Sequence, residues 1–289
     1  MKPTLLGTGG SEGIPCIFCT CSVCERARSL GGHEIRSRSS LLLNDDTLVD
    51  FSPDLFYQSL QGKFNLNRLS ALFLTHFHED HVNVPEMESR LSALPALHSP
   101  VAVYCSPETA HQVQSLFKFY FNYGRPDARD YFERYKLTPL PLWQPMHANG
   151  FCVTPIQSSH HGYGVAALGY NYIFEKNGQR LLYAVDTGWY PDVSWDFLDG
   201  LPLDGVIMEC TYGDYNLQPY SPEHLNLSNM LDMLHHLQDL GCITPKTPVF
   251  LTHLCHLHSM THEETQEFLN RCGYSVQLGY DFMELPFFT

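Results

Sequence analysis

No run of eighteen apolar residues occurs anywhere in the 289-residue chain, so no membrane-spanning helix is expected. The start, MKPTLLGTGGSEG, lacks the apolar stretch of a signal peptide, and a cytoplasmic location is the expectation. Basic residues are scarce: 17 Lys and Arg stand against 31 Asp and Glu, a formal charge of -14. A surface that acidic repels polyanions, which counts against long nucleic acid as a partner. Internal repeats and low-complexity linkers are also missing, so one domain over residues 1–289 is expected. What the chain does have is 44% hydrophobic residues, enough for a sizeable core, with ten cysteines and sixteen histidines. In a reducing compartment such cysteines are thiols or metal ligands rather than disulfides.

Short apolar runs at 4–6, 40–43, 47–50, 71–74, 101–104, 152–156, 169–174, 181–185, 205–208 and 249–251 read as strands. Patterns at 23–30, 84–94, 107–120, 191–198, 223–240 and 261–271 read as helices. Asn177-Gly178 is a hairpin signal. Many strands with interspersed helices, some in hairpins, predict a mixed-sheet sandwich flanked by helices rather than a doubly wound parallel sheet. Residues 106–150 are the least regular and include FKFYFNYGRPDARDYFERY at 117–135. That segment reads as a helical aromatic-rich insertion packed on the core, or as a lid or dimer surface beside a site.

THFHEDH at 75–81 packs three histidines and two acids into seven residues, just after an apolar run. Alternation along a strand points His76 and His78 the same way, so both can reach one ion. Asp80 and His81 can turn to a second ion close by. Two metals need about eight ligand positions, some bridging, and water. Further along, His160, Asp186 and His253 each follow an apolar run at once, as rigid ligands at strand ends would.

THFHEDH matches the H-x-H-x-D-H signature of the metallo-β-lactamase superfamily, and His160, Asp186 and His253 match its later ligand motifs in order. The resemblance covers essentially the whole chain, and within the superfamily the sequence most resembles PhnP-type phosphodiesterases, which act on phosphoribosyl cyclic phosphate. It implies an αββα sandwich. It implies that His76, His78 and His160 hold one metal, that Asp80, His81 and His253 hold the other, and that Asp186 bridges them. Asp50, in TLVDF, matches an acid that accepts the free ring N–H of a metal-bound His and fixes its tautomer. Phe51 and Ser52 stand where the family pattern has a glycine soon after that acid.

Cys16, Cys19, Cys21 and Cys24 crowd into IPCIFCTCSVC. C-x-C-x-x-C with a remote fourth ligand is a plausible tetrahedral zinc motif. PhnP-like proteins carry the same motif and complete it with a His three residues after the last active-site His. That resemblance assigns a structural zinc to Cys19, Cys21, Cys24 and His256, with Cys16 spare. GTGGSEG at 7–13 is glycine-rich without the dinucleotide fingerprint; it reads as a tight loop near the site, with phosphate contact through its amides as a weaker option.

Two cations lower the pKa of bound water and supply a nucleophile at neutral pH, while Asp80 and Asp186 can orient it. For the proton donor, His224 matches a His that is functional in PhnP-like and tRNA-processing relatives, and Glu209, in MECTYGD, resembles its acidic partner. His161, His258 and His262 lie near motifs without an assigned role. The reading is a dinuclear hydrolase of a small phosphodiester, a cyclic phosphate among the options, with Zn, Mn or Fe in an all-N/O site. No membrane partner is expected, and a homodimer is left open. The rivals are a tRNase Z-like RNA-processing nuclease, a lactonase or thioesterase, a redox di-iron protein and a pyrroloquinoline-quinone-synthesis protein. The di-iron site typically has Glu in place of His78.

Overall fold

The computed structural model describes residues 2–62, 64–92, 99–121, 134–161 and 168–288. The first sheet is built from β1 (Thr4–Gly7), β2 (Ser40–Asn44), β3 (Thr47–Val49), β4 (Ala71–Phe73), β5 (Val101–Cys105) and β6 (Tyr135–Pro139). The second takes β7 (Met146–Ala148), β8 (Phe151–His161), β9 (Leu168–Lys176), β10 (Gln179–Ala184), β11 (Gly205–Glu209), β12 (Val249–Thr252) and β13 (Val276–Leu278). The last strand, β14 (Met283–Glu284), returns to the edge of the first sheet. Among the described residues both sheets have seven strands, ordered β14-β1-β2-β3-β4-β5-β6 and β13-β12-β11-β10-β9-β8-β7. Each is antiparallel at one end and parallel at the other.

Side-chain alternation explains why so many strands read as unbroken apolar runs. Leu41 and Leu43 face the other sheet while Leu42 faces helices. Tyr183 and Ile207 likewise point inward, and Leu182, Ala184, Val206 and Met208 point outward. Both faces are covered, so neither set of positions is polar. The inner layer joins Phe73 and Val49 to Phe174, Tyr172 and Phe250. The outer layers pack Val113, Phe117 and Met87 on the first sheet, and Met230, Leu234 and Leu237 on the second. Helices therefore flank two stacked sheets, the expected αββα sandwich.

The ten expected strands are all present. Four short ones, β6, β7, β13 and β14, were not expected, because edge strands of two to five residues carry little periodic signal. Of the region 106–150, residues 122–133 lie outside the described set. The rest begins with helix Pro107–Phe121 and continues into β6 and β7, which are sheet edge where a helical insertion was expected. Of the helix expected at 84–94, the described residues form two short turns, Val84–Met87 and Ser89–Ser92, with 93–94 outside the described set, and the helix Leu55–Gly62 was not expected. No described helix is long and apolar enough to cross a membrane.

Candidate metal centre

Topology brings the ligand-type residues to one rim. β3 and β4 are parallel, and so are β10, β11 and β12, so their C-terminal ends share an edge within each sheet. β8 is antiparallel to β9, which is antiparallel to β10, so β8 ends on that edge too. Asp50 follows β3, the THFHEDH segment follows β4, His160 lies near the end of β8, Asp186 follows β10, Glu209 ends β11, and His253 follows β12. Asp50 and His253 each take φ of 61°, a left-handed turn off the strand end that costs a non-glycine residue about 1 kcal/mol. A register shift in the β8–β9 pairing buries Ser158, Ser159 and His160 in succession and aims His160 at the rim. Gly169 opposite it admits no side chain: a Cβ would lie 2.8 Å from Ser158 Oγ and 2.9 Å from the His160 carbonyl.

Ligand atoms converge there in two main groups, His76, His78 and His160, and Asp80, His81, Asp186 and His253, with His224 close enough to join His160 and Asp186 or Glu209 and His253 in smaller ones. In the second group His81 Nε2 lies 3.2 Å from Asp80 Oδ2, 3.4 Å from Asp186 Oδ2 and 3.3 Å from His253 Nε2. His253 Nε2 lies 3.3 Å from Asp80 Oδ2 and 3.0 Å from Asp186 Oδ1. A tetrahedral ion with bonds of about 2.0–2.1 Å holds its ligand atoms roughly 3.3 Å apart, which is this spacing. In the first group His78 Nδ1 is 2.8 Å from His76 Nε2 and 3.2 Å from His160 Nε2. Asp186 Oδ2 reaches to 3.7 Å from His76 Nε2, so one carboxylate borders both groups.

The outer ring nitrogens decide what faces inward. His81 Nδ1 donates to Asp50 at 2.8 Å, and His160 Nδ1 donates to the Glu223 carbonyl at 3.0 Å. His76 Nδ1 donates to Thr75 Oγ1 at 3.0 Å, and that hydroxyl donates to Asp50. His253 Nδ1 donates to Thr211 Oγ1 at 2.9 Å, and that hydroxyl donates to Glu209. The Nε2 atoms of His76, His160 and His253 therefore present lone pairs toward other ring nitrogens and carboxylates, and His81 Nε2 is aimed at Asp80, Asp186 and His253. Such a set repels itself unless positive charge lies between its members. Asp186 Oδ1 is buried and accepts no hydrogen bond from the described residues.

Titration tendencies agree. Burial and neighbouring histidines hold His76, His78 and His160 below the ordinary imidazole range, as free bases. Burial opposes charge on His81, but Asp80, Asp50 and Asp186 outweigh it and hold His81 well above that range, a mark of how strongly the pocket favours a cation. Asp80 and Asp186 are well below the carboxylate range despite burial, through His81 and His253. Asp50 goes the other way: burial outweighs His81 and Thr75 and raises it.

Beside the clusters, Glu209 is fully buried. An unpaired carboxylate there would cost several kcal/mol. Glu209 accepts instead from the amides of Thr187, Thr211 and Leu225, from the Thr211 hydroxyl, and from His224 Nδ1 at 2.8 Å. Burial opposes the charged form of His224, but Glu209 dominates and raises it to about 9. His224 stands in the loop ahead of helix Leu227–Asp239, whose N-cap is Asn226, and not in a first turn as expected. With Nδ1 held by Glu209, its other nitrogen serves a cavity of about 620 Å³ that His78, Asp80, His160, Asp186 and His253 also line.

The cysteine cluster forms at the same rim. Cys19, Cys21, Cys24 and His256 converge, with both Cys19 Sγ and Cys21 Sγ 3.5 Å from His256 Nδ1. A tetrahedral ion bound by sulfur and nitrogen spaces such atoms by roughly 3.5 Å. Burial opposes the Cys21 thiolate, yet donors from Cys24, His256 and Cys19 bring it to about 6, while burial pushes Cys24 up to about 12. Cys16 stays outside the cluster, its amide donating to Cys24 Sγ. His258 is tied to the Cys255 carbonyl and His262 to Arg36, and neither joins a cluster. The side chain of His161 lies outside the described set. In the glycine-rich loop the amides of Gly9, Gly10 and Gly13 bond to Ser37, Leu254 and Gly10 carbonyls, so they are not available to a phosphate. The loop does reach the site: Gly10 packs so closely on His253 that a Cβ would lie 3.4 Å from its ring.

The sequence reading named every ligand-type residue in these clusters and missed Thr75 and Thr211. Their signal was positional: one precedes His76, and the other lies two residues beyond Glu209.

Among solved structures the chain is similar to a diphosphatase of the PhnP family, at 25% identity and a TM-score of 0.73, over 99% of this chain and 97% of that one. It shares its fold with Zn(2+)-bound PqqB from Methylobacterium extorquens, at 16% identity and a TM-score of 0.73 over 99% of each chain. It also shares it with the short form of human tRNase Z, at 15% identity and a TM-score of 0.66 over 99% and 98%. A stretch of 127 residues is 35% identical to part of the octanoyltransferase of Porphyromonas gingivalis, covering 42% of this chain. The match spans only 24% of that protein. Residues 46–254, most of the chain, match the β-lactamase superfamily domain, and the chain belongs to that superfamily.

Proposed function

We propose that the protein hydrolyses a small phosphodiester, cyclic phosphates included. His76, His78 and His160 would hold one divalent ion, and Asp80, His81 and His253 a second, with Asp186 between them. Zn and Mn suit the N/O donors, and Fe is admitted. Ions bound there would polarise the phosphoryl group and make a water acidic enough to attack at neutral pH. Asp80 and Asp186 orient the attacking water. His224, kept protonated by Glu209, gives a proton to the leaving oxygen.

The observation that carries this reading is the Glu209–His224 pair, which puts a proton donor in the same cavity as the two ligand groups. Thioester opening depends less on such a donor, because a thiolate leaves without protonation. Acyl transfer through a cysteine is disfavoured, because burial pushes Cys255, which lines the cavity, up to about 12. A nuclease acting on tRNA fits poorly with a charge of -14. The cysteine cluster would take a structural zinc. The test is turnover of metal-reconstituted protein on cyclic and linear phosphodiesters, lactones, thioesters and tRNA precursors. Diesters should lead; cleavage of tRNA precursors without turnover of small diesters would replace this reading with the nuclease.

A further inference from the structure

Three carboxylates rim the cavity above the ligand groups. Glu12 comes from the glycine-rich loop, Glu79 from THFHEDH, and Glu223 from the loop before His224, and all three are exposed. Neither Glu12 nor Glu79 forms an ion pair among the described residues, and Glu223 reaches only His160, at 3.8 Å. No Lys or Arg lines this cavity among the described residues. Arginines elsewhere in the N-terminal segment are already engaged. Arg38 holds Asp54 and the Ser11 carbonyl, and Arg36 is buried on Thr8, Gly279 and His262. Arg26 and Arg28 are spent on Glu34, Glu25 and backbone carbonyls. The rim's field reaches inward: burial, then Cys255, Glu209, Glu12 and Glu223, all raise the Tyr212 phenol. In the floor, Asp186 Oδ1 is buried and accepts no hydrogen bond from the described residues, with only the His253 ring 3.0 Å away, which marks where a ligand is received.

The centre and the edge of the cavity therefore have opposite preferences. The floor gathers cations and with them one phosphoryl group. A second anion on the substrate would have to lie among carboxylates with no guanidinium or ammonium from the described residues to meet it.

We propose that Glu12, Glu79 and Glu223 restrict the site to phosphodiesters bearing a single negative charge and select against those carrying a further phosphate. This rests on the diesterase reading. It narrows the substrate class to diesters with uncharged or cationic outer groups, and it disfavours a phosphorylated ribosyl cyclic phosphate. Because the rim is exposed, the discrimination is screened by salt.

The test compares the p-nitrophenyl ester of thymidine 5′-phosphate with the same compound phosphorylated at its 3′-hydroxyl, on metal-loaded protein. Leaving group and reacting centre are identical, so the ratio of kcat/KM reports outer charge alone. The singly charged ester should lead by about tenfold or more at low ionic strength, and the gap should close as salt rises. Replacing all three rim acids (Glu12→Gln, Glu79→Gln, Glu223→Gln) should narrow the gap several-fold. Removing three exposed acids elsewhere (Asp239→Asn, Glu263→Gln, Glu267→Gln) should not, which separates a local rim from net charge. Binding of both esters is measured alongside by calorimetry. If neither ester turns over but the binding ratio still shifts in the rim variant, the diesterase reading fails and the rim stands. Equal affinity and equal kcat/KM for the two esters, or a ratio untouched by the rim variant, overturns the proposal.

Discussion

Asp50 and Glu209 hold matching places in the two sheets. Each is a fully buried acid where a strand meets the rim. Each binds one histidine directly, at 2.8 Å: His81 for Asp50 and His224 for Glu209. Each reaches a second histidine through a threonine hydroxyl: His76 through Thr75 and His253 through Thr211. The outcomes differ. Both acids favour charge on their histidine, but His81 Nε2 is aimed into the ligand group, where a bound cation would replace its proton, whereas His224 keeps a proton toward the cavity. What lies beyond the ring makes the difference: Asp80, Asp186 and His253 all stand within 3.4 Å of His81 Nε2, a group that could share a cation, whereas the outer nitrogen of His224 faces the open cavity. On the proposed reading, one wiring pattern would serve two purposes, fixing a ligand on one side and arming an acid on the other.

The sharpest way to break that comparison is to remove the two directly held histidines. His81→Ala should lose metal and activity together, by more than about 10³-fold in kcat, whatever the leaving group. His224→Ala should keep its metal and lose about 10²-fold on a poor leaving group, with a smaller loss on a nitrophenolate. Metal analysis beside kcat on both substrates decides it. Equal metal loss in the two variants would mean that the halves do the same job.

Next come the threonines. Thr75→Val and Thr211→Val keep the shape and delete the relay. Each should weaken metal binding by about 10- to 100-fold, read by competition with a chelator. Unchanged affinity in both would reduce the relays to packing.

A smaller effect is expected from pH. His224 is raised to about 9 from an ordinary 6.5, so in metal-free protein its contribution to stability is complete below about pH 6.5 and is lost as pH rises through 9. Adding a divalent ion should lower the value, because like charges oppose protonation. Titration of the His224 ring by NMR, with and without metal, would show it; a metal-free value at 6.5 would strip Glu209 of its role.

The smallest change in turnover should follow Cys21→Ser, which lies outside both halves. It should lower the melting temperature and remove one zinc per chain while leaving kcat within about a few-fold. Unchanged melting and unchanged zinc content would end the structural assignment.

The ligands were legible because each is a rare residue type directly after an apolar strand, as in LLYAVDTG and VFLTH. The threonines were not, because a threonine beside a strand is ordinary β sequence and nothing in its neighbours announces a buried hydroxyl. His224 was placed in a helix since HLNLSNML carries the helical period, but Asn226 caps the helix two residues later and frees the histidine. The edge strands were missed for a related reason. Two or three residues, as in β7 or β14, are too few to establish a period.

His81 and His253 meet although 172 residues separate them along the chain. On the ribosome, the N-terminal sheet can begin to gather long before that partner exists, but the metal group cannot close until residue 253 has emerged. Pairing at such distance is slow and comes late in folding. A cation held there belongs to the finished molecule, and its capture is a timestamp on the completed fold.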